Sequence, residues 1–216
     1  MKTLVKPCMS VLTVLLMVVF LVPAGAMAAE EIKIGVIYPL TGGAAAAGRE
    51  LRAGAELAAE ITNNTMADLA MTMAQNSGVK SLGGAKIKLI FKDHEGNPTM
   101  GADQAKKLIL DDKVDGILGC YFSSVTKTVS AVCEQYGIPM INGSSTSPAL
   151  TERGFKWFWR TTPHDKWFTK DLFELLVGLT EGKVKGVKAI PKKDIINVAS
   201  ACEKTEWGSH VSELIK

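Results

Sequence analysis

The sequence has little net charge and few cysteines, histidines and aromatic residues. Its 216 residues carry 25 Lys and Arg against 22 Asp and Glu, a net charge of +3. That balance excludes a nucleic-acid binder held by phosphate contacts and gives no polybasic signal for a membrane surface. Hydrophobic residues make up 47% of the chain. This composition is typical of a globular protein rather than a disordered chain.

The first 28 residues have the pattern of a cleaved signal peptide. Two early lysines precede an apolar segment at 11–22, and Ala26-Met27-Ala28 matches the small-x-small pattern before a cut at Ala29. The alternative is a transmembrane anchor, because the uncharged stretch 8–28 is nearly long enough to span a bilayer. The short apolar part and the cleavage site favour the signal peptide, so we expect a periplasmic or other extracytoplasmic location.

The cysteines of the mature part do not form a recognisable framework. Cys120, Cys133 and Cys202 are odd in number, and their spacing matches no metal site. A Cys120–Cys133 disulfide is one option for an exported protein. The other is that each thiol is a small buried hydrophobic group.

Strand-like and helix-like segments alternate along the mature sequence. Predicted strands occupy residues 32–38, 86–92, 116–119, 138–141, 156–160 and 195–199. Predicted helices occupy residues 48–63, 98–111, 124–136, 165–179 and the end of the chain from about 207. This order indicates parallel βαβ crossovers and therefore an open parallel α/β sheet with helices on both faces. The alternating segment 86–92 suits a strand near the sheet edge.

Two lobes follow from this order. Residues 29–162 are predicted to form the first ligand-binding lobe and residues 163–216 to begin a second. The second part offers helix, strand and helix only, which is too little to close a parallel sheet whose faces both need cover. We therefore expect the chain to be the amino-terminal portion of a longer protein. Residues 62–84 and 180–193 are predicted to be surface segments.

Hydroxyl-rich loops follow three of the predicted strands, at 39–48, 120–126 and 142–148. Ligands of open α/β sheets bind beyond the carboxyl ends of strands, where helix N-termini and backbone N–H groups favour a small anion. Ser123 and Thr146 are candidates to donate to a carboxylate, and the carbonyl of Ser144 is a candidate to accept from an ammonium group. The competing interpretation is that these hydroxyls only cap helices.

Cofactor, metal and hydrolytic sites are poorly matched. The glycines at 42, 43 and 48 do not have dinucleotide-binding spacing, and no phosphate-binding loop or G-x-S-x-G elbow occurs. The three histidines are isolated in sequence, and we expect Asp93-His94-Glu95 to be a solvated loop rather than a metal site. We thus predict no cofactor, no metal and no catalytic residues.

These loops carry a resemblance to a known family. The most specific segments are GIPMINGSSTSPALT, FWRTTP and the later E-x-x-x-W-G, together with IKIGVIYPLTGG near the start. The chain resembles the solute-binding proteins of ABC transporters for branched-chain amino acids, which have the type I periplasmic-binding-protein fold. The resemblance covers the chain from Glu31 onward, excluding the Met-rich insertion.

The resemblance implies two lobes that close on a ligand and deliver it to a membrane permease. It implies that Ser123 holds a ligand carboxylate, that the backbone at Ser144 contacts the ligand, and that Thr146 contacts carboxylate and ammonium. It also implies a covering role for Trp207, with Glu203 in the same loop. The predicted ligand-binding residues are Ser123, Ser124, Ser144, Ser145, Thr146, Glu203 and Trp207.

This sequence departs from the family pattern at one visible position. Ala47 stands in a run of alanines where relatives often have an aromatic residue, which leaves room for a bulkier ligand or a different wall. Relatives bind amino acids, amides, urea or aromatic acids. We expect a monomer that binds a small polar solute and no nucleic acid. The alternatives are the sensor domain of a membrane receptor with the same fold, or more remotely an α/β hydrolase or dehydrogenase.

Overall fold

The computed structural model describes residues 31–194 and 201–215. The predicted signal peptide and the strand predicted at 195–199 lie outside the described residues. The strands are β1 (Ile32–Tyr38), β2 (Ile87–Asp93), β3 (Gly116–Gly119), β4 (Met140–Asn142) and β5 (Phe158–Arg160). The helices are α1 (Ala45–Asn63), α2 (Pro98–Leu110), α3 (Ser123–Tyr136), α4 (Asp165–Thr180) and α5 (Glu206–Ile215).

All five strands are parallel and belong to one sheet in the order β2-β1-β3-β4-β5. The predicted open parallel sheet is confirmed, and β2 lies at an edge as its alternating sequence indicates. The chain leaves β1 toward β2 and then returns to the other side of β1 at β3. The loops after β1 and β3 therefore diverge, which is where open α/β sheets bind ligands.

One face of the sheet packs against α2 and α3. Ala105 and Leu108 from α2 and Val125 and Val129 from α3 are fully buried against strand residues such as Ile37. Their spacing of three or four residues places each set on one helix face. The side chain of Asn97 accepts from the backbone N–H groups of Thr99 and Met100 and so begins α2.

The opposite face is covered by α1 over part of the sheet. Ala55 and Ile61 of α1 are buried, whereas Ala58 is exposed. On the same face Ile141 of β4 and Trp159 of β5 are 46% and 49% exposed. The sequence period gives the apolar stripe of a helix, but whether a neighbour covers the stripe depends on the tertiary arrangement.

The segment between α1 and β2 contains two short 3₁₀ turns, Thr72–Ala74 and Lys80–Leu82. Between residues 66 and 74, the first of these turns is the only helical structure. Among the described residues, no helix has the length and apolar character needed to cross a membrane.

Candidate ligand-binding site

A cavity of about 280 Å³ opens beyond the carboxyl ends of β3 and β4. It is lined by all seven predicted ligand-binding residues, Ser123, Ser124, Ser144, Ser145, Thr146, Glu203 and Trp207, together with Tyr121, Phe122 and Thr205. Residues more than 20 positions apart in three separate segments thus meet at one hollow. This arrangement follows from the parallel sheet, because parallel strands bring their carboxyl ends to the same edge.

The N-terminus of α3 supplies the anion-favouring part of the cavity. The residue preceding the helix is Phe122, which has no capping side chain. Ser123 is 3% exposed, and its Oγ has no hydrogen-bond partner among the residues that the structure describes. The first backbone N–H groups of a helix lack partners within the helix, and the helix dipole is positive there. This hydroxyl is therefore a buried donor without a structural function of its own, which argues against a capping role for Ser123.

A buried polar network joins the loops after β3 and β4. The amide nitrogen of Asn142 donates to the carbonyls of Gly119 and Cys120 at 2.9 and 2.8 Å. Its Oδ1 accepts from the backbone N–H of Ser145 at 2.9 Å. The Ser145 hydroxyl lies 2.7 Å from that of Thr126. These bonds fix the two loops relative to each other, because unpaired polar groups at such depth would be costly.

The network also distinguishes among the serines. Ser145 is 2% exposed, and its hydroxyl contacts Thr126, Asn142 and the Cys120 carbonyl. Ser144 donates its hydroxyl to the same carbonyl at 2.9 Å. Their hydroxyl hydrogens are engaged by the protein, so these residues can offer a ligand mainly their backbone. In the described part of the chain no acceptor takes up the hydroxyl hydrogen of Ser123, and Thr146 Oγ1 acts as an acceptor for the Trp207 indole.

The segment 203–207 supplies a third part of the cavity lining. The Trp207 indole N–H donates to Thr146 Oγ1 at 2.9 Å and to Asp165 Oδ1 at 3.2 Å. Glu203 accepts from the Thr205 hydroxyl at 2.7 Å. Of the described residues around the cavity, Glu203 alone carries a charge. An anionic ligand group therefore meets dipoles and hydroxyls at α3, while a cationic group finds a carboxylate across the cavity.

A second hollow of about 490 Å³ continues from the first toward the loop after β1. Ala44, Ala46 and Ala47 line it, and it shares Phe122 and Glu203 with the first cavity. The small alanine side chains leave this wall open.

Gly48 lies inside α1, where an added Cβ would approach the Pro39 carbonyl oxygen to 2.0 Å. This glycine therefore serves close packing of helix and loop rather than a phosphate group.

His94 corrects one expectation from the sequence. The Asp93-His94-Glu95 segment was expected to be solvated, but the His94 ring is fully buried. Its Nδ1 accepts from the Gly96 backbone N–H at 2.9 Å, and the ring packs edge-on against Phe122 with centroids 6.0 Å apart. Burial lowers the pKa of His94 to about 4, and the neighbouring Asp93 charge only partly offsets this. The expectation failed because a polar residue after a strand can turn inward beneath a loop.

The three described cysteines differ in burial, and the described residues that could ligate metals are not clustered. Cys120 and Cys133 are buried and Cys202 is exposed, all as free thiols. Burial raises the pKa of Cys133 to about 12 and that of Cys120 as well. Within residues 31–194 and 201–215, no cluster of three His, Cys, Asp or Glu residues has the arrangement of a metal site.

Sequence reasoning missed three residues that shape the cavity: Asn142, Thr126 and Asp165. Asn142 ends a strand and resembles an ordinary turn residue, and Asp165 occupies a first helical turn where acidic residues are common. One signal in the sequence pointed to Asn142, which ends an otherwise apolar strand. A polar side chain that is buried at such a position needs hydrogen-bond partners.

The fold and the position of the cavity are those of an open α/β sheet protein with a candidate ligand site at the carboxyl ends of its strands. Residues 31–187 match the family described as Periplasmic binding protein. The chain belongs to this family, whose members are extracytoplasmic binding proteins rather than enzymes.

Individual relatives agree with this assignment. Leu/Ile/Val-binding protein homolog 3 of Brucella melitensis is 34% identical over 135 residues, which are 62% of this chain and 33% of the relative. Leu/Ile/Val-binding protein homolog 7 of Brucella suis is 28% identical over 92% of this chain and 45% of the relative. The chain thus spans between a third and a half of the length of these relatives.

A solved structure gives the same result. The substrate binding protein LivJ of the Streptococcus pneumoniae branched-chain amino acid transporter, in complex with isoleucine, aligns with a TM-score of 0.56 and 25% identity. The alignment covers 68% of this chain and 39% of that protein. The similarity to branched-chain amino acid binding proteins that the sequence indicated is confirmed.

Proposed function

We propose that this chain is the ligand-capturing part of an extracytoplasmic receptor that delivers an amino acid or a related small carboxylate to an ABC transporter permease. The observation that carries the proposal is the cavity at the N-terminus of α3, where the buried Ser123 hydroxyl has no hydrogen-bond partner within residues 31–194 and 201–215. A buried donor at the positive end of a helix suits a carboxylate. The names of the relatives support an aliphatic amino acid.

The binding mode assigns one ligand group to each side of the cavity. The carboxylate lies at α3 and accepts from Ser123, Thr146 and backbone N–H groups. The ammonium group faces the Ser144 carbonyl and the Glu203 carboxylate. The ligand side chain points toward the open alanine wall at Ala47, where a larger group has room.

Binding proceeds in two stages. The first lobe, residues 29–162, is held ready by the Asn142 network and captures the ligand. The second lobe, beginning at residue 163, then closes over it with Trp207. A ligand favours the closed state only by contacting both lobes. The protein is proposed to act as an exported monomer after cleavage before Ala29, and to have no catalytic activity of its own.

Calorimetric titration of the complete protein with L-leucine tests the proposal. Thr146→Ala is expected to weaken binding by about 1–3 kcal/mol, because a buried polar partner is left unpaired. Ser209→Ala provides the matched control, since Ser209 is an exposed hydroxyl on the helix that carries Trp207. L-Leucinamide should bind far more weakly than L-leucine because it lacks the carboxylate.

Two outcomes would contradict the proposal. Unchanged affinity in Thr146→Ala would remove Thr146 from the site. Equal binding of L-leucine and L-leucinamide would remove the carboxylate from the N-terminus of α3. A panel with 4-hydroxybenzoate and urea beside the amino acids separates the ligand classes.

A further inference from the structure

A buried carboxylate lies behind the cavity without lining it. Asp165 is 4% exposed and is the first residue of α4. Its Oδ1 accepts from the Trp207 indole at 3.2 Å, and its backbone N–H donates to the Thr146 carbonyl at 2.9 Å. The residue therefore connects the loop after β4 with the segment that carries the covering tryptophan.

The Asp165 carboxyl group lies in the first turn of α4 and near Arg160. The first turn of a helix attracts negative charge, and the carboxylate opposes the effect of burial on the pKa of Arg160. Arg160 itself is held by the Ser147 carbonyl at 2.8 Å. The second oxygen, Oδ2, has no hydrogen-bond partner among the described residues. A simple helix cap would bond backbone N–H groups, whereas this carboxylate bonds a side chain from another element.

The shared indole N–H determines how Thr146 can act. An indole nitrogen is a donor only, so Thr146 Oγ1 must accept in its 2.9 Å contact with Trp207. The hydroxyl hydrogen of Thr146 is therefore directed away from the indole. Because Thr146 lines the cavity, this hydrogen can be donated to a ligand acceptor.

We propose that Asp165 is a positioning residue that holds the Trp207 indole against Thr146 and so keeps the Thr146 hydroxyl as a donor toward the ligand. The inference rests on the proposed function for its ligand step, but the Asp165–Trp207 contact stands without it. Asp165, although it does not line the cavity, thus affects the affinity for the ligand and the preference for a ligand with a carboxylate.

The contact is tested by amide-type hydrogen exchange of the indole N–H in tryptophan-¹⁵N-labelled protein. The Trp207 signal is assigned by its loss in Trp207→Phe. In Asp165→Ala this signal should exchange at least about fivefold faster, since one hydrogen bond of ordinary strength is lost. Asp165→Asn keeps an acceptor oxygen and should restore most of the protection. Asp171→Ala removes an exposed carboxylate from the same helix and should change nothing.

The positioning effect is tested by L-leucine titration of the same variants. Asp165→Ala should bind about threefold to tenfold more weakly, while Asp165→Asn and Asp171→Ala should stay close to the unaltered protein. Unchanged indole exchange in Asp165→Ala overturns the contact. Faster exchange with unchanged L-leucine affinity overturns the positioning role. If the unaltered protein fails to bind any ligand of the panel, the receptor function is wrong, and the exchange measurement still decides whether Asp165 holds Trp207.

Discussion

Acidification should destabilise this protein through His94 before its carboxylates titrate. The His94 ring is fully buried beneath the loop that carries Phe122, and its Nε2 has no hydrogen-bond partner in the part of the chain that the structure describes. Burial lowers its pKa to about 4 from the ordinary 6.5. A proton on this ring would have to be accommodated without water. Between these two pKa values the unfolded chain therefore binds more protons than the folded protein, and stability falls as the pH falls.

The magnitude follows from the two pKa values. From about pH 7.5 to about pH 5, the His94 contribution to the free energy of unfolding should decrease by about 2 kcal/mol, and it approaches a limit of about 3 kcal/mol below pH 4. Asp93 contributes at lower pH. Burial alone would raise its pKa, but hydrogen bonds from Thr41, Glu95 and Leu40 lower it, so its protonation falls outside this range.

Urea unfolding of the mature protein at several pH values measures the effect. His94→Asn is the matched variant, because its shorter side chain can still accept from the Gly96 N–H but cannot titrate in this range. The two proteins are compared by the slope of the free energy of unfolding against pH, so the absolute stability of the variant does not matter. Parallel slopes for the two proteins would refute the assignment, as would a His94 ring resonance that titrates near pH 6.5.

Other substitutions test packing, thiol burial and the polar network. Gly48→Ala should lower the free energy of unfolding by about 2 kcal/mol or more, because its Cβ would clash with the Pro39 carbonyl. Gly54→Ala, in the same helix with open space around it, should raise that energy by about 0.5–1 kcal/mol; equal effects would contradict the packing. Of Cys120, Cys133 and Cys202, only Cys202 should react with a thiol reagent in the folded protein, and rapid reaction of Cys120 or Cys133 would show that the buried cysteines are accessible. Asn142→Ala should cost about 3 kcal/mol by leaving backbone groups unpaired, and a loss below 1 kcal/mol would show that the network is replaceable.

Much of the parallel sheet and its helices is predictable from local sequence. The span predicted for β1 agrees with the structure, and β3 likewise, because apolar β-branched runs bounded by polar residues leave little choice of register. The start of α2 follows from Asn97 and Pro98, which favour the first turn of a helix. The meeting of hydroxyl-rich loops at one edge follows from the parallel topology.

The chemistry within the cavity is less accessible to sequence reasoning. Nothing in the pattern GSSTS separates Ser145, whose hydroxyl faces inward to Thr126, from Thr146, whose hydroxyl faces the cavity. That difference arises from the turn geometry and from Asn142 beneath it. The burial of His94 and the contact of Asp165 with Trp207 depend on residues far apart in the chain, and no local pattern specifies them.

The proposed function depends above all on a ligand carboxylate at the N-terminus of α3. A crystal structure of the complete protein with a bound ligand from the panel would locate that carboxylate. We expect its oxygens within hydrogen-bonding distance of the hydroxyls of Ser123 and Thr146, with Trp207 over the ligand. A ligand bound with its carboxylate away from both hydroxyls, or in another cavity, would contradict it.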